Sequence, residues 1–192
     1  MCVRHIQAVD EEAFGGIGGQ SLRRLSFRSS HLTDAHLSSV LALADLRTLD
    51  IALNPKITGL DRLLGALRSL ETLVASSDGV RSLGGGVSST LRVLNVADNP
   101  LVDVAGDAFV GLTSLEELRL DGARLTLAND SFAGQRATLR TLSLRKCNFT
   151  RAPWPSIARL GALETLYLSQ VTLLKVQPPS LIAHRVRFDS GV

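Results

Sequence analysis

Aromatic residues are scarce in this sequence, and neither sign of charge is in large excess. Of 192 residues, 4% are aromatic, with one Trp, one Tyr and six Phe. Lys and Arg number 21 against 18 Asp and Glu, which gives a formal net charge of only +3. A nucleic-acid surface would need clustered basic residues together with aromatic side chains that stack on bases. The sequence therefore predicts no nucleic-acid partner.

Long apolar runs and cysteines are also missing. No apolar run reaches the length of about 18 residues that a membrane-spanning helix needs. The first six residues lack the apolar stretch of a signal peptide. The two cysteines, Cys2 and Cys147, are too few for the disulfide framework of a small secreted domain. With 45% hydrophobic residues and a low net charge, the chain is nevertheless not a disordered one.

Patterns that indicate catalysis or cofactor binding are absent from the sequence. None of the four histidines stands in a His-Glu-x-x-His arrangement, so we expect no zinc site. The glycine run Gly84–Gly86 is not followed by the Lys-Ser or Lys-Thr that a phosphate-binding loop requires. These absences predict a protein that is not an enzyme and holds no metal or cofactor.

Leucine is the residue in excess, and the leucines recur at a fixed interval. There are 35 of them, about 18% of the chain. The segment Leu91-x-x-Leu94-x-Val96-x-x-Asn99-x-Leu101 gives a template that fits seven times. The seven matches start at Leu22, Leu46, Leu70, Leu91, Leu115, Leu139 and Leu163. Successive starts are 24 residues apart, except for a single step of 21 between the third and the fourth.

This pattern resembles that of leucine-rich repeat proteins, specifically the 24-residue class common in extracellular ectodomains. The resemblance covers nearly the whole chain. It implies an α/β fold, a right-handed solenoid with a concave parallel β-sheet and an irregular or short-helical convex side. The physics of repeats agrees, because one coil cannot bury its own leucines and neighbouring coils must stack. We expect a single array over residues 1–192.

Both ends of the array are predicted to be partial repeats. Near the C-terminus, Ala183, Val186 and Phe188 fit the first apolar positions of an eighth repeat, although a strict 24-residue step would start at Arg187. Cys2 falls in the incomplete first coil, six coils from Cys147, or roughly 29 Å at about 4.8 Å per coil. The Cα atoms of a disulfide lie within about 7 Å of each other, so we expect no bond between the two cysteines.

The ninth position of the repeat normally holds Asn, whose side chain bonds backbone groups where the chain bends. Here the ninth positions are Ser30, Asn54, Asp78, Asn99, Ala123, Cys147 and Val171. Ser, Asn and Asp can serve as polar partners, and Cys weakly, whereas Ala and Val cannot. We therefore expect less firmly bonded bends in the second half of the array, and we interpret Cys147 as a buried structural residue.

The residues between and after the inward leucines of each strand are predicted to face the concave side. They vary from repeat to repeat, whereas the inward-facing positions are uniformly apolar. This variation favours a recognition surface over unselected change at exposed positions. One group of charged residues, Arg24 and Arg28, lies at one end. A second group near the other end contains Glu117, Arg119, Asp121, Arg145 and Tyr167. Tyr and Arg often anchor protein interfaces, so the second group is the predicted binding patch.

A further outward column, nearer the start of each strand, consists of charged residues only. It reads Arg23, Arg47, Glu71, Arg92, Glu116, Arg140 and Glu164. From the second residue on, the sign of the charge alternates, so neighbouring strands would place opposite charges side by side. We interpret this column as structural and not as part of the ligand surface.

Two sequons and one tryptophan complete the set of candidate residues. Asn129 and Asn148 each start an Asn-x-Ser/Thr triplet and are candidate glycosylation sites. Two sequons are common by chance in a chain of this length, so they favour secretion only slightly. Trp154, between two prolines, is predicted to pack inward and hold a convex loop in place. The alternative is that Trp154 faces a binding partner.

These features predict a non-catalytic module that binds a protein ligand on the concave face of a leucine-rich repeat solenoid. The cysteine-rich caps usual in ectodomains of this class are absent. We therefore expect a fragment of a secreted or receptor-type protein, located outside the cell or at its surface. Any membrane attachment would come through a segment not present in this chain. Two alternatives stay open: a cytosolic leucine-rich repeat adaptor, and the recognition domain of an enzyme whose catalytic part is missing.

Overall fold

The computed structural model describes residue 14 and residues 21–104, 107–172 and 187–189. Within them the backbone forms short β-strands, numbered here along the chain. They are β1 (Arg24–Ser26), β2 (Thr48–Asp50), β3 (Thr72–Val74), β4 (Ser82–Leu83), β5 (Val93–Asn95), β6 (Asp103–Val104), β7 (Glu117–Arg119), β8 (Arg124–Leu127), β9 (Thr141–Ser143), β10 (Asn148–Phe149), β11 (Thr165–Tyr167) and β12 (Arg187–Asp189). Eight of them form one parallel sheet, in the order β1-β2-β3-β5-β7-β9-β11-β12.

The strands of this large sheet pair at equivalent positions of successive repeats. Leu49, for example, lies opposite Leu25 on one side and Leu73 on the other. These central leucines are at most 2% exposed, whereas the residues on either side of them are partly or largely exposed. The alternation follows from the two-residue period of a strand, which turns one residue inward and its neighbours outward. The large sheet is the predicted concave sheet.

Where they are described, the return segments between these strands contain four short helices. They are the 3₁₀-helices Asp34–Ala42 and Ala133–Gln135 and the α-helices α1 (Asp61–Ala66) and α2 (Trp154–Ile157). The helices turn apolar side chains such as Leu37, Leu63 and Ile157 toward the inward leucines. The predicted fold class, a solenoid with a parallel sheet on one side and short helices on the other, is confirmed.

A second parallel sheet, which the repeat template did not predict, follows the bends after the concave strands. Its order is β10-β8-β6-β4. In it Leu83 lies opposite Val104 and Leu125 opposite Phe149, and all four side chains are buried. Strands of only two to four residues leave too short a pattern to be separated from loop in the sequence.

The last described strand corrects the register predicted for the eighth repeat. β12 pairs with β11 so that Phe188 lies opposite Leu166 and Arg187 opposite Thr165. The template had placed Phe188 at the position of Leu168, and that alignment is wrong by two residues. The observed pairing leaves a longer return segment, closer to the length of the other repeats. Ala183 and Val186 lie outside the described residues.

In each of the seven repeats, the concave strand is followed by a residue in the left-handed backbone region, directly before the ninth repeat position. The φ angles lie between 56° and 77° at Ser29, Leu53, Ser77, Asp98, Gly122, Lys146 and Gln170. L-residues other than Asn and Asp adopt this region rarely. Because the residue types at this position share no pattern, the turn could not be predicted from the sequence.

The turn brings the ninth residue inward, where Asn54 bonds two coils together. Its Oδ1 accepts hydrogen bonds from the backbone N–H groups of Ser30 at 3.1 Å and Leu32 at 2.9 Å. Its Nδ2 donates to the carbonyls of Phe27 at 3.0 Å and Ile51 at 2.6 Å. One asparagine therefore satisfies backbone groups of its own coil and of the preceding one.

Asn99 bonds its surroundings in the same way. Its Oδ1 accepts from the N–H groups of Asp78 and Val80, both at 3.1 Å. Its Nδ2 donates to the carbonyls of Ala75 at 2.7 Å and Val96 at 3.0 Å. The two asparagines thus make matching contacts two coils apart.

Ala123 and Cys147 occupy the ninth position in the second half of the array, and both are buried. Ala123 has no side-chain donor, whereas the Cys147 thiol donates to the Leu120 carbonyl with Sγ and O 3.2 Å apart. Burial raises the pKa of the Cys147 thiol to about 12. Cys147 is therefore an inert packing residue, as expected. Cys2 lies outside the described residues.

Candidate binding surface

The structure places the predicted patch on three neighbouring strands of the concave sheet. Glu117 and Arg119 lie on β7, and Tyr167 lies on β11. Asp121 follows β7, and Arg145 follows β9, the strand between them. Arg119 and Tyr167 are both opposite Ser143, one on each side. We call Glu117, Arg119, Asp121, Arg145 and Tyr167 the concave patch.

The charged side chains of the concave patch are held by contacts within it. Arg119 Nε donates to Glu117 Oε1 at 2.6 Å, and the side chain of Arg119 is 48% exposed. Asp121 Oδ1 accepts from the Ser143 hydroxyl and from the backbone N–H of Arg145, each at 2.6 Å. The two carboxylates therefore orient their neighbours in the concave patch.

Arg145 and Tyr167 form the centre of the concave patch. The guanidinium carbon of Arg145 lies 4.2 Å from the centroid of the Tyr167 ring. This cation–π geometry contributes about 0.5–1 kcal/mol at an exposed site. The stack restricts two long side chains before any ligand arrives, which lowers the entropy that binding would cost.

Two residues that the sequence reading missed support this centre. Ser143 is 2% exposed and holds Asp121 in place, although its column was predicted to face outward. Lys146 is exposed and follows Arg145 directly, at the left-handed turn position. The two-residue period of the strand does not extend to Lys146, because its backbone is in the left-handed region and not extended.

Arg24 and Arg28 lie at the other end of the sheet. Arg24 is on β1, four strands from β7, which corresponds to roughly 19 Å at about 4.8 Å per strand. Arg28 Nη1 lies 4.0 Å from Asp50 Oδ1, with the Arg28 side chain 46% exposed. These arginines and the concave patch are therefore separate parts of one concave face.

The predicted charge column forms three ion pairs between neighbouring strands. Arg47 Nη1 is 2.9 Å from Glu71 Oε1, and Arg92 Nη1 is 2.5 Å from Glu116 Oε1. The third pair joins the side chains of Arg140 and Glu164. Six of the seven residues of this column therefore neutralise one another in pairs, which agrees with a structural role.

The remaining candidate residues lie away from the concave sheet. Asn129 is exposed in the turn after β8, and Asn148 is exposed at the start of β10. Trp154 is 4% exposed and packs in the core, so it staples its loop and does not face a partner.

The shortened repeat opens a surface hollow that the sequence did not predict. It measures about 370 Å³ and is lined by Leu64, Gly65, Arg68, Val87 and Gly111 among others. Val87 is 65% exposed. The hollow lies beside the return segment of the 21-residue repeat, where no helix forms.

In the part of the chain that the structure describes, no helix is long and apolar enough to cross a membrane. The same residues contain no group of three or more His, Cys, Asp or Glu side chains placed to hold a metal ion.

The chain is similar to known leucine-rich repeat proteins in one repeat and in overall fold. Residues 87–110 match the family model described as Leucine Rich repeat. No curated protein is significantly similar to the chain in sequence. The fold is similar to that of TLR13 in the crystal structure of a TLR13–ssRNA13 complex, with a TM-score of 0.72 and 21% identity over 85% of this chain.

The fold is also similar to that of internalin C2 from Listeria monocytogenes str. 4b F2365. Here the TM-score is 0.69, with 19% identity over 87% of this chain. The chain spans 23% of the TLR13 chain and 69% of the internalin C2 chain. At these sequence identities, the similarity to both proteins is evidence for a shared fold alone. Together with the matched repeat, it confirms the leucine-rich repeat fold that the pattern of leucines predicted.

Proposed function

We propose that the chain is a non-catalytic module that binds a protein ligand on its concave face, centred on the concave patch. The observation that carries this proposal is the stack of Arg145 on Tyr167, with Arg119 exposed on the next strand but one. Arg and Tyr contribute most where they are already ordered and partly desolvated. The concave face presents these anchors beside smaller residues, such as Thr141 and Thr165, that leave room for a partner.

Single-stranded RNA is the second candidate ligand. TLR13, which has a similar fold, was solved in complex with ssRNA. The fold therefore does not support excluding a nucleic-acid ligand, as the composition of the chain had suggested. Arg119, Arg145 and Lys146 would meet phosphates, and Tyr167 would stack on a base. The carboxylates of Glu117 and Asp121 in the same patch oppose a polyanion, which favours a protein ligand.

Photo-crosslinking from two positions of the full-length protein tests the proposed surface. A photoreactive phenylalanine analogue replaces Tyr167 on the concave side or Val87 beside the hollow. We expect specific protein adducts from position 167 and not from position 87. RNA adducts at position 167 would favour the second candidate, and protein adducts from position 87 alone would contradict the concave site.

We further propose that the module belongs to a secreted or receptor-type ectodomain. The 24-residue repeat and two exposed sequons, at Asn129 and Asn148, support this compartment. A cytosolic adaptor and the recognition domain of an enzyme are the alternatives. Enzymatic removal of N-glycans should lower the mass of protein isolated from its native source, and Asn148→Gln with Asn129→Gln should abolish that change. Unmodified asparagines in native material would favour the cytosolic adaptor.

A further inference from the structure

The ninth position of the third full repeat holds Asp78, between the two asparagines that bond adjacent coils. Asp78 is 6% exposed, against 0% for Asn54 and 3% for Asn99. Its Oδ1 accepts a hydrogen bond from the backbone N–H of Asn54 at 2.6 Å. The Oδ1 atom of Asp78 thus takes the place of the amide oxygen of an asparagine.

The other carboxyl oxygen of Asp78 stands where an asparagine carries its donor. In Asn54 and Asn99 that atom is Nδ2, which donates to one carbonyl of its own coil and one of the preceding coil. Asp78 Oδ2 is buried and has no hydrogen-bond partner among the described residues. By the repeat, the carbonyls of Ile51 and Ala75 are its equivalent acceptors. An ionised carboxylate has no hydrogen to give them.

We propose that Asp78 is a proton-binding site that completes the bend between β3 and β4. In its neutral form the carboxyl O–H donates to one of these carbonyls, as the asparagine amides do in the flanking coils. Loss of the proton leaves a buried carboxylate against carbonyl oxygens and weakens the bend where the shortened repeat begins. The ordered array is thereby coupled to pH at one coil.

The charges around Asp78 agree with a neutral folded form. Burial raises the pKa of Asp78 to about 7, against the lowering effect of the hydrogen bond from Asn54. Of the charged groups that act on it, Asp50 raises the pKa and Arg28 lowers it. Arg28 Nη1 and Asp50 Oδ1 are 4.0 Å apart, so their fields partly cancel at Asp78.

The pKa of Asp78 is higher in the folded chain than in the unfolded chain, and this difference determines how stability changes with pH. Between about pH 4 and pH 7 the folded chain binds a proton at Asp78 that the unfolded chain does not. Its contribution to the free energy of unfolding is therefore fully present below about pH 4. It decreases as the pH rises to about 7 and stays constant above that.

Urea unfolding of the full chain at about pH 5 and about pH 8 tests the proposal. The samples are the unsubstituted protein, Asp78→Asn, and Asp45→Asn as the matched control at an exposed carboxyl. We expect the unfolding midpoint of Asp78→Asn to decrease much less between the two pH values and to exceed that of the unsubstituted protein at pH 8. Asp45→Asn should keep the original pH dependence. Every other titratable group is common to the unsubstituted protein and Asp78→Asn, so the difference between these two samples isolates Asp78.

The proposal is overturned if Asp78→Asn keeps the full pH dependence. Asp78→Asn could fold poorly, so a second measurement uses the unsubstituted protein. It follows the carboxyl ¹³C signal of Asp78 by NMR from about pH 3 to pH 8. A titration midpoint near 7 agrees with the proton site, and a midpoint near 4 contradicts it.

Discussion

At the scale of the residue, one backbone position carries a strain that depends on its side chain. Seven coils turn through a left-handed residue before the ninth position, and the side chain there is Gly in only one of them. Leu53 has φ at 64° and is 40% exposed. It lacks the backbone freedom of glycine, and burial of its side chain does not offset the strain. In this region the Cβ of an L-residue lies too close to the following carbonyl oxygen, which costs about 1–2 kcal/mol.

Leu53→Asn is expected to stabilise the protein by about 0.5–1 kcal/mol, because Asn tolerates the left-handed region better than Leu. The measurement is the urea midpoint, with Val87→Asn as a control for the loss of an exposed apolar side chain at a residue without positive φ. Val87→Asn should leave the midpoint nearly unchanged. Equal gains from both substitutions would show that the cause is the replacement of an exposed apolar side chain by a polar one, and not the backbone turn.

Cys147 provides a second residue-scale prediction. Burial raises the pKa of its thiol to about 12, and only the thiolate reacts with disulfide or maleimide reagents. In a Cys2→Ser variant at about pH 8, we expect no labelling of Cys147 in the folded protein and rapid labelling in urea. Labelling of the folded protein at the rate of a free cysteine would contradict the buried ladder position.

At the scale of the element, adjacent strands are joined by exposed ion pairs as well as by backbone bonds. Arg92 and Glu116 have side chains 59% and 42% exposed, so solvent and salt screen their attraction. Glu116→Gln should therefore lower the free energy of unfolding by less than about 1 kcal/mol. The loss should disappear in about 1 M NaCl. A loss that persists in high salt would indicate that packing, and not charge, is the cause.

The concave strands were predictable because each combines a fixed repeat with a two-residue alternation of buried and exposed side chains. Leu49, Leu94 and Leu142 lie at strand centres for that reason. The second sheet and the left-handed turns were not predictable, because they depend on backbone pairing that the residue types at those positions do not record. The columns placed Arg145 and Tyr167 on neighbouring strands, but the cation–π contact depends on rotamers that only packing determines.

At the scale of the whole molecule, stability depends on the stacking of each coil on its neighbours. One cluster of buried residues extends from Leu25 to Leu166 through all the described coils. Leu118 is fully buried at the centre of β7, and Leu118→Ala should lower the free energy of unfolding by about 2–5 kcal/mol. Val102→Ala, at a side chain 51% exposed, is the matched control with a small expected effect. Similar losses from both would contradict the stacked inward columns.

The same stacking makes the concave face one continuous surface and separates it from the hollow beside the shortened repeat. The sequons and the hollow lie outside the concave strands, and the ion pairs of the charge column neutralise one row of that face. Among the described residues, the concave patch combines the stack of Arg145 on Tyr167 with the exposed Arg119, and the proposed binding surface rests on this combination.

The most direct test of this proposal is the affinity of a crosslinked partner, purified and titrated against the full-length protein. Arg145→Ala combined with Tyr167→Ala should weaken binding by more than about 1 kcal/mol, a factor of at least about five in Kd. The control pair, Arg68→Ala combined with Val87→Ala beside the hollow, should leave Kd unchanged. An unchanged affinity for the concave pair, with a loss for the control pair, would contradict the concave face as the binding surface.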